Sequence, residues 1–204
     1  AQYHLGVIYY EDEYLKRDEK RMVGDYEIIQ AVYVGDREVV LGENPADMTG
    51  GRYLCSLCQH RDLGGFHQEL FTSDSYLEAV KVFGERVVKQ VEMVQQELSA
   101  AEAQGISHTP LSAADCTPLS PSDDLDGKVI VIRAEVLRRE YQTATHQLKY
   151  CNGGFGASPN RNGSAVFCTD LFSGRESRFE RRDVLGTMEP EMLPAWAAQG
   201  LSNI

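Results

Sequence analysis

The residues with the clearest potential for chemistry are Cys55, Cys58, His60 and His67, in the stretch Cys55-Ser56-Leu57-Cys58-Gln59-His60 with His67 seven positions on. Two thiolates and two imidazoles are the donor set a tetrahedral zinc ion prefers. Zinc is therefore the one cofactor these residues make possible, and no other is expected. The spacing is looser than a finger's, because His67 lies beyond Gly64-Gly65. The same segment also reads as plain strand, with Tyr53, Cys55 and Leu57 on one face and cysteines serving as small hydrophobes, which is the commoner use. A redox pair fits less well, since no helix start follows Cys55 to depress its thiol pKa.

A second group is the loop around Gly153, Gly154, Phe155 and Gly156, running on to Arg161. Clustered glycines let backbone amides point at an anion, and Arg161 adds charge, so a phosphate or a nucleic-acid backbone suits it. It lacks the lysine of a phosphate-binding P-loop and the glycine spacing of a dinucleotide fingerprint. As pure architecture it is a long turn in which glycines supply positive φ and Phe155 plugs the core. Arg178 belongs to a third group with Arg175, Arg181 and Arg182, but Glu176, Glu180 and Asp183 interleave with them. From Lys128 onward 10 bases stand against 8 acids, far too small an excess for a nucleic-acid track. No Ser-His-Asp order, paired-carboxylate signature or His-Glu-x-x-His motif is present, and the five histidines are scattered. Catalysis is unsupported, and a binding role is the expectation.

Charge is the feature that most constrains such a role. The chain of 204 residues carries a net charge of −11, and the acid is concentrated early: 18 acidic against 10 basic residues through position 100, then five acids and no base from 101 to 127. Glu11, Asp12, Glu13, Asp18 and Glu19 form the densest run and are the candidate contact residues. An acidic body of this kind repels nucleic acid and attracts a basic protein surface. The longest unbroken aliphatic run, Val129 to Ile132, is far short of the roughly 20 residues a membrane span requires. The opening residues lack a basic segment followed by an apolar one, and five cysteines form no dense framework. Free thiols in a reducing cytoplasm are expected.

The elements that must position these groups read as two modules and a tether. Strands are predicted over Tyr3–Tyr10, Tyr26–Val34, Glu38–Leu41 after a Gly35-Asp36 turn, and Arg52–Leu57. Leu77, Val80, Val87, Val91, Val94 and Leu98 recur at helical spacing, predicting a helix from about Tyr76 to about Ala103 that packs on the sheet, opened by a Ser75–Glu78 capping box and closed at Gly105. The same face would also serve a homodimer. Residues 106–127, rich in Ser, Thr, Pro and Asp, read as a flexible linker. Residues 128–204 read as a small β-rich module with strands at Lys128–Ala134, Gln147–Cys151, Ser164–Phe172 and Ser177–Leu185 and a closing helix at Met192–Ala198. The expected class is α+β: an acidic domain over 1–105 in which an antiparallel sheet is packed by one long helix, then the linker, then the small β domain.

From Lys128 to Trp196, the runs Val129–Ile132, Arg139–Tyr141, Thr145–Leu148, Gly153–Gly156, Ala165–Phe167, Arg182-Asp183 and Leu193–Trp196, with Pro159, Gly163, Gly174 and Arg178, resemble the large polyvalent protein associated domains of clostridial-type mobile elements. The first 100 residues resemble uncharacterised proteins of such elements. The resemblance implies a mobile-element or phage accessory protein in the bacterial cytoplasm and carries no catalytic residues with it. Such elements must survive host nucleases. An acidic protein could occupy the basic nucleic-acid channel of a CRISPR or restriction nuclease, so a non-enzymatic, anti-CRISPR-like inhibitor is the leading expectation. The alternatives are a nucleic-acid-binding module using the glycine loop and arginines, and a dimeric interaction scaffold.

Overall fold

The structure, a computed structural model, describes residues 20–61, 64–159 and 162–204. It is α+β, as expected, and the chain divides into two compact units, Ala1–Val91 and Glu92–Ile204. The predicted strand Tyr3–Tyr10 lies outside the described residues.

The first unit is a five-stranded antiparallel meander of β1 (Met22–Val23), β2 (Tyr26–Val34), β3 (Arg37–Glu43), β4 (Tyr53–Arg61) and β5 (Gly64–Ser73), paired in sequence order. Gly35, at φ 63°, makes the two-residue turn between β2 and β3. The sequence reading misses β5, and the reason is local. Between the pairs Cys55↔Phe71 and Leu57↔Gln68 the β5 side carries one extra residue, and Glu69 there adopts φ 50°. This bulge breaks the period-2 alternation that marks a strand.

Helix α1 spans Tyr76–Ala103. Ser75 Oγ accepts from Glu78 N at 3.3 Å, while the Glu78 carboxylate turns to Ser73 Oγ at 2.6 Å, a capping box relayed through one more hydroxyl. At the far end Ile106 N bonds Ala101 O and Gly105 N bonds Glu102 O with Gly105 at φ 73°, the pattern of a Schellman cap. The helix does cover its sheet, but the packed face is rotated from the predicted one, keeping Val87 and losing Leu77, Val80 and Val91. Ala79, Val82, Phe83 and Val87 face the sheet, where Val82, Phe83 and Val87 pack on Val39, Cys55, Leu57 and Phe71; Arg86 Nη1 reaches Cys55 O at 2.8 Å. Leu77 and Val91 are exposed instead. Two apolar stripes run along this helix about a third of a turn apart. Ala79 and Phe83 select the buried one: a methyl allows close approach and a ring fills the space beside it.

The second unit is a six-stranded antiparallel sheet in the order β10-β9-β8-β7-β11-β6. Its members are β6 (Thr117–Pro118), β7 (Val129–Ile132), β8 (Leu148–Gly153), β9 (Ala165–Asp170), β10 (Glu176–Glu180) and β11 (Val184–Met188). The all-apolar run of β7 is explained by burial on both faces: Ile130 and Ile132 join Leu125, Cys151, Val166 and Cys168, while Val129 and Val131 join Leu148, Leu171, Met188 and Ala197. The predicted strand Ser177–Leu185 is two strands, split by a single 3-10 turn at Arg181–Asp183. The closing helix is α3, Ala195–Ser202.

Residues 106–127, expected as a flexible linker, are built into this unit. Thr117 and Pro118 form β6 against β11, and Leu125 is fully buried. Gln147, at the end of the one-turn helix α2 (Ala144–Gln147), holds the segment: its Oε1 accepts Leu111 N at 2.7 Å and its Nε2 donates to Leu111 O and Ile132 O. Composition argued for disorder because few residues here are apolar. Local Asx and Ser turns, such as Ser112 N to Asp115 Oδ2 at 2.7 Å, satisfy the backbone, and a few buried anchors suffice.

Candidate functional site

In the first unit a polar row crosses the sheet. The register aligns Tyr33, Glu38, Cys58 and His67 on neighbouring strands. Glu38 is 0% exposed and takes both Nη atoms of Arg21, at 2.9 and 2.7 Å, a bidentate pair that compensates its desolvation. Ser56, on the same face of β4, lies 3.0 Å from His67 Nδ1. Cys58 and His67 from the possible zinc set are thus brought together. Cys55 is not. Strand alternation puts it on the opposite face of β4, packed under α1 among Val39 and Phe83. One ion cannot take both thiols, and the four-ligand set does not form. For His60 the structure describes the backbone alone, paired with Gly65. Among the described residues no group of three or more His, Cys, Asp or Glu side chains is placed to hold a metal.

This row is arranged to satisfy buried polar groups. A hydroxyl or thiol beside an imidazole is the beginning of a nucleophilic site, but Ser56 and Cys58 are both fully enclosed. Burial pushes the Cys58 thiol up, the Glu38 carboxylate pushes it further, and Arg21 opposes only in part. A neutral, inaccessible thiol is inert.

The second unit holds a polar cluster that no motif announced. Lys149 Nζ meets Asp170 Oδ2 at 2.9 Å with both side chains almost wholly buried, and the ammonium lies 5.5 Å from the centre of the Phe179 ring. Asp170 Oδ1 accepts from Phe172 N, Ser173 N and Ser173 Oγ, so the carboxylate also pins the turn after β9. Beside it, His146 stacks on Tyr141, with centroids 4.1 Å apart. Its Nδ1 meets Thr143 Oγ1 at 2.9 Å and Thr145 Oγ1 at 3.1 Å, and its Nε2 lies 3.6 Å from Glu97, whose other oxygen is 3.7 Å from Arg175. Burial lowers the His146 pKa, against the pull of Asp170 and Glu97 upward. The Thr-His-Glu order resembles a proton relay, yet Thr143 and Thr145 are buried and both ring nitrogens are engaged. The cluster ties α1 residues of this unit to its sheet.

The glycine loop is the third site, and its surroundings argue against an anion. A Cβ on Gly154 would stand 2.4 Å from Ala165 O, and one on Gly156 2.1 Å from Ser164 O. These glycines exist to let β9 approach, and Gly156 N is spent on Ala165 O. Phe155 does not plug the core; it is 59% exposed. Carboxylates adjoin the loop. Asp126 Oδ1 lies 3.3 Å from the position of a Gly153 Cβ, and Asp124 Oδ2 is 3.5 Å from Ser158 Oγ. Arg181 turns inward and donates to the carbonyls of Gly156, Ala157, Ser120, Pro121 and Asp123 at 2.7 to 3.4 Å. Arg178 is exposed on β10 across from Phe167. Glu11, Asp12, Glu13, Asp18, Glu19 and Arg161 lie outside the described residues. Arg181, Gln147 and the Lys149–Asp170 pair went unrecognised as organisers in the sequence. The available signal was a lysine flanked by Leu148 and Tyr150 within a predicted strand, which calls for a buried acid opposite.

None of the family models, curated proteins or solved structures compared with this chain matches it. No helix among the described residues is long and apolar enough to cross a membrane.

Proposed function

We propose that this protein acts by binding rather than by catalysis, as a mobile-element accessory factor that inhibits a host defence nuclease. Its anionic surface would occupy the basic channel through which that nuclease grips nucleic acid. The observation that supports this most is the set Asp124 and Asp126, exposed beside the glycine loop where the neighbouring guanidinium, Arg181, is turned onto backbone carbonyls. These two carboxylates add to the anionic character of a chain whose net charge is −11. A channel lined with Lys and Arg for a phosphate backbone is complementary to it in charge. The test is cleavage by the host's RNA-guided and restriction nucleases with the pure protein in excess. Inhibition should weaken as salt rises and as Asp124→Asn with Asp126→Asn is introduced; undiminished cleavage by every nuclease sinks the reading.

One observation favours a second reading. Phe155 and Phe167 are both exposed, and Arg178 lies across from Phe167. Aromatic rings with an arginine are how sheets stack single-stranded bases. A salt-sensitive gel shift with single-stranded oligonucleotide, lost in Phe155→Ala with Phe167→Ala, would establish this reading in place of the first.

A further inference from the structure

One apolar stripe of α1 is left exposed in the fold. Leu77, Val80, Val88 and Val91 lie along it, with exposures of 78, 36, 56 and 38%, and Gly84 sits at its centre. A Cβ on Gly84 would meet nothing within 4 Å, so no contact among the described residues demands a glycine in the middle of this helix. Glycine there costs helix stability, which the fold itself does not recover. What a glycine does offer at a helix surface is close approach of another backbone.

The spacing is symmetric about that glycine. Leu77 and Val91 stand seven residues to either side of it, and Val80 and Val88 four. On the flank of the stripe away from the sheet, the charges alternate as Glu78, Lys81, Glu85, Lys89 and Glu92. Lys81 and Glu85 are themselves well exposed, 3.9 Å apart in one chain. We propose that two copies pair antiparallel through this face, with a two-fold axis passing at Gly84. That operation sets Leu77 against Val91 of the second copy and Val80 against Val88. It also brings Lys81 beside Glu85 and Glu78 beside Lys89, each contact occurring twice. In a parallel two-fold pairing the charged flank of one copy falls on the opposite side of the seam from that of the other and none of these ion pairs form, so charge favours the antiparallel arrangement. This face is not the predicted one: it shares Leu77, Val80 and Val91 with it, but Val87, Val94 and Leu98 belong elsewhere. A single helix pair of this length falls below the roughly 800 Å² per partner of a standard interface, so the dimer dissociates readily on dilution.

Molecular mass in solution over a wide concentration range tests this, with the full chain. The mass should climb from 22.8 kDa toward twice that value as concentration rises. Val80→Glu with Val88→Glu should hold it at the monomer, while circular dichroism confirms that the helix survives. Lys81→Glu should weaken association by roughly tenfold, because two like-charge contacts appear, and adding Glu85→Lys should restore it. Gly84→Ala separates an interface from a bare surface most sharply: it should stabilise the monomer and yet weaken the dimer. A monomer at every concentration overturns the proposal, and so does a dimer indifferent to these substitutions.

Discussion

His146 shows what burial does to a single ionisable side chain. Its pKa is lowered in the fold, chiefly because the imidazolium is desolvated, so the unfolded chain binds a proton first as pH falls. The stability it contributes is complete above the ordinary histidine value near 6.5 and declines as pH drops from there toward the folded value. Thermal unfolding should therefore show a loss of melting temperature between pH 7.5 and pH 5.5 that is smaller in His146→Gln; equal losses would assign the effect to other groups. Arg181 makes a different residue-scale prediction. One guanidinium serves five carbonyl oxygens drawn from two loops, and Arg181→Met leaves them competing for water or unpaired. Denaturant unfolding should register a loss of about 3 kcal/mol, the value of one or two hydrogen bonds to a charged group. The thiols divide in the same physical way. Cys151, pushed up to about 11 by burial, should resist alkylation at pH 8 in the folded protein, whereas half-exposed Cys116 should react first.

At the scale of elements, the loop after β8 closes on the start of β9 only because Gly154 and Gly156 carry no side chains. Gly156 is the cleaner case, since its φ is not in the left-handed region and only the 2.1 Å approach to Ser164 O opposes a side chain. Gly156→Ala should cost about 1–3 kcal/mol or more through displaced backbone, measured by denaturation. Gly84→Ala, in open space on α1, should do the reverse and stabilise the monomer by up to about 1 kcal/mol. The contrast between two glycines of identical chemistry rests on what surrounds each. The same logic governs α1 as a whole: two apolar stripes compete for the sheet, and the one that wins carries Val82, Phe83 and Val87 against the sheet's Cys55 and Leu57.

At the scale of the whole molecule, the described fold uses much of its charge internally: Arg21 with Glu38, Arg52 with Glu43, Lys149 with Asp170 and Arg175 with Glu97. Paired charges cancel at a distance, so the residual field comes from carboxylates such as Asp124 and Asp126 that stand outside these pairs. The segment 106–127 also has a consequence at this scale. Because β6 and Leu125 belong to the second unit's sheet and core, limited proteolysis should not cut readily within 117–125 despite its Ser, Pro and Asp content. Rapid cleavage there would return it to the status of a linker.

The α+β class, the bounds of α1, its two caps, the strand Tyr26–Val34 and the Gly35 turn were legible in the sequence. Each depends on periodicity or on local hydrogen bonding within a few residues. The row of Glu38, Cys58 and His67, the Lys149–Asp170 pair and the clamp of Gln147 on Leu111 were not, since they join strands or loops up to 36 residues apart. Which stripe of α1 is buried, which face of β4 each cysteine takes, and whether a Ser- and Asp-rich stretch is free or docked are settled by packing between distant segments. Residue type and spacing alone carry no record of that packing.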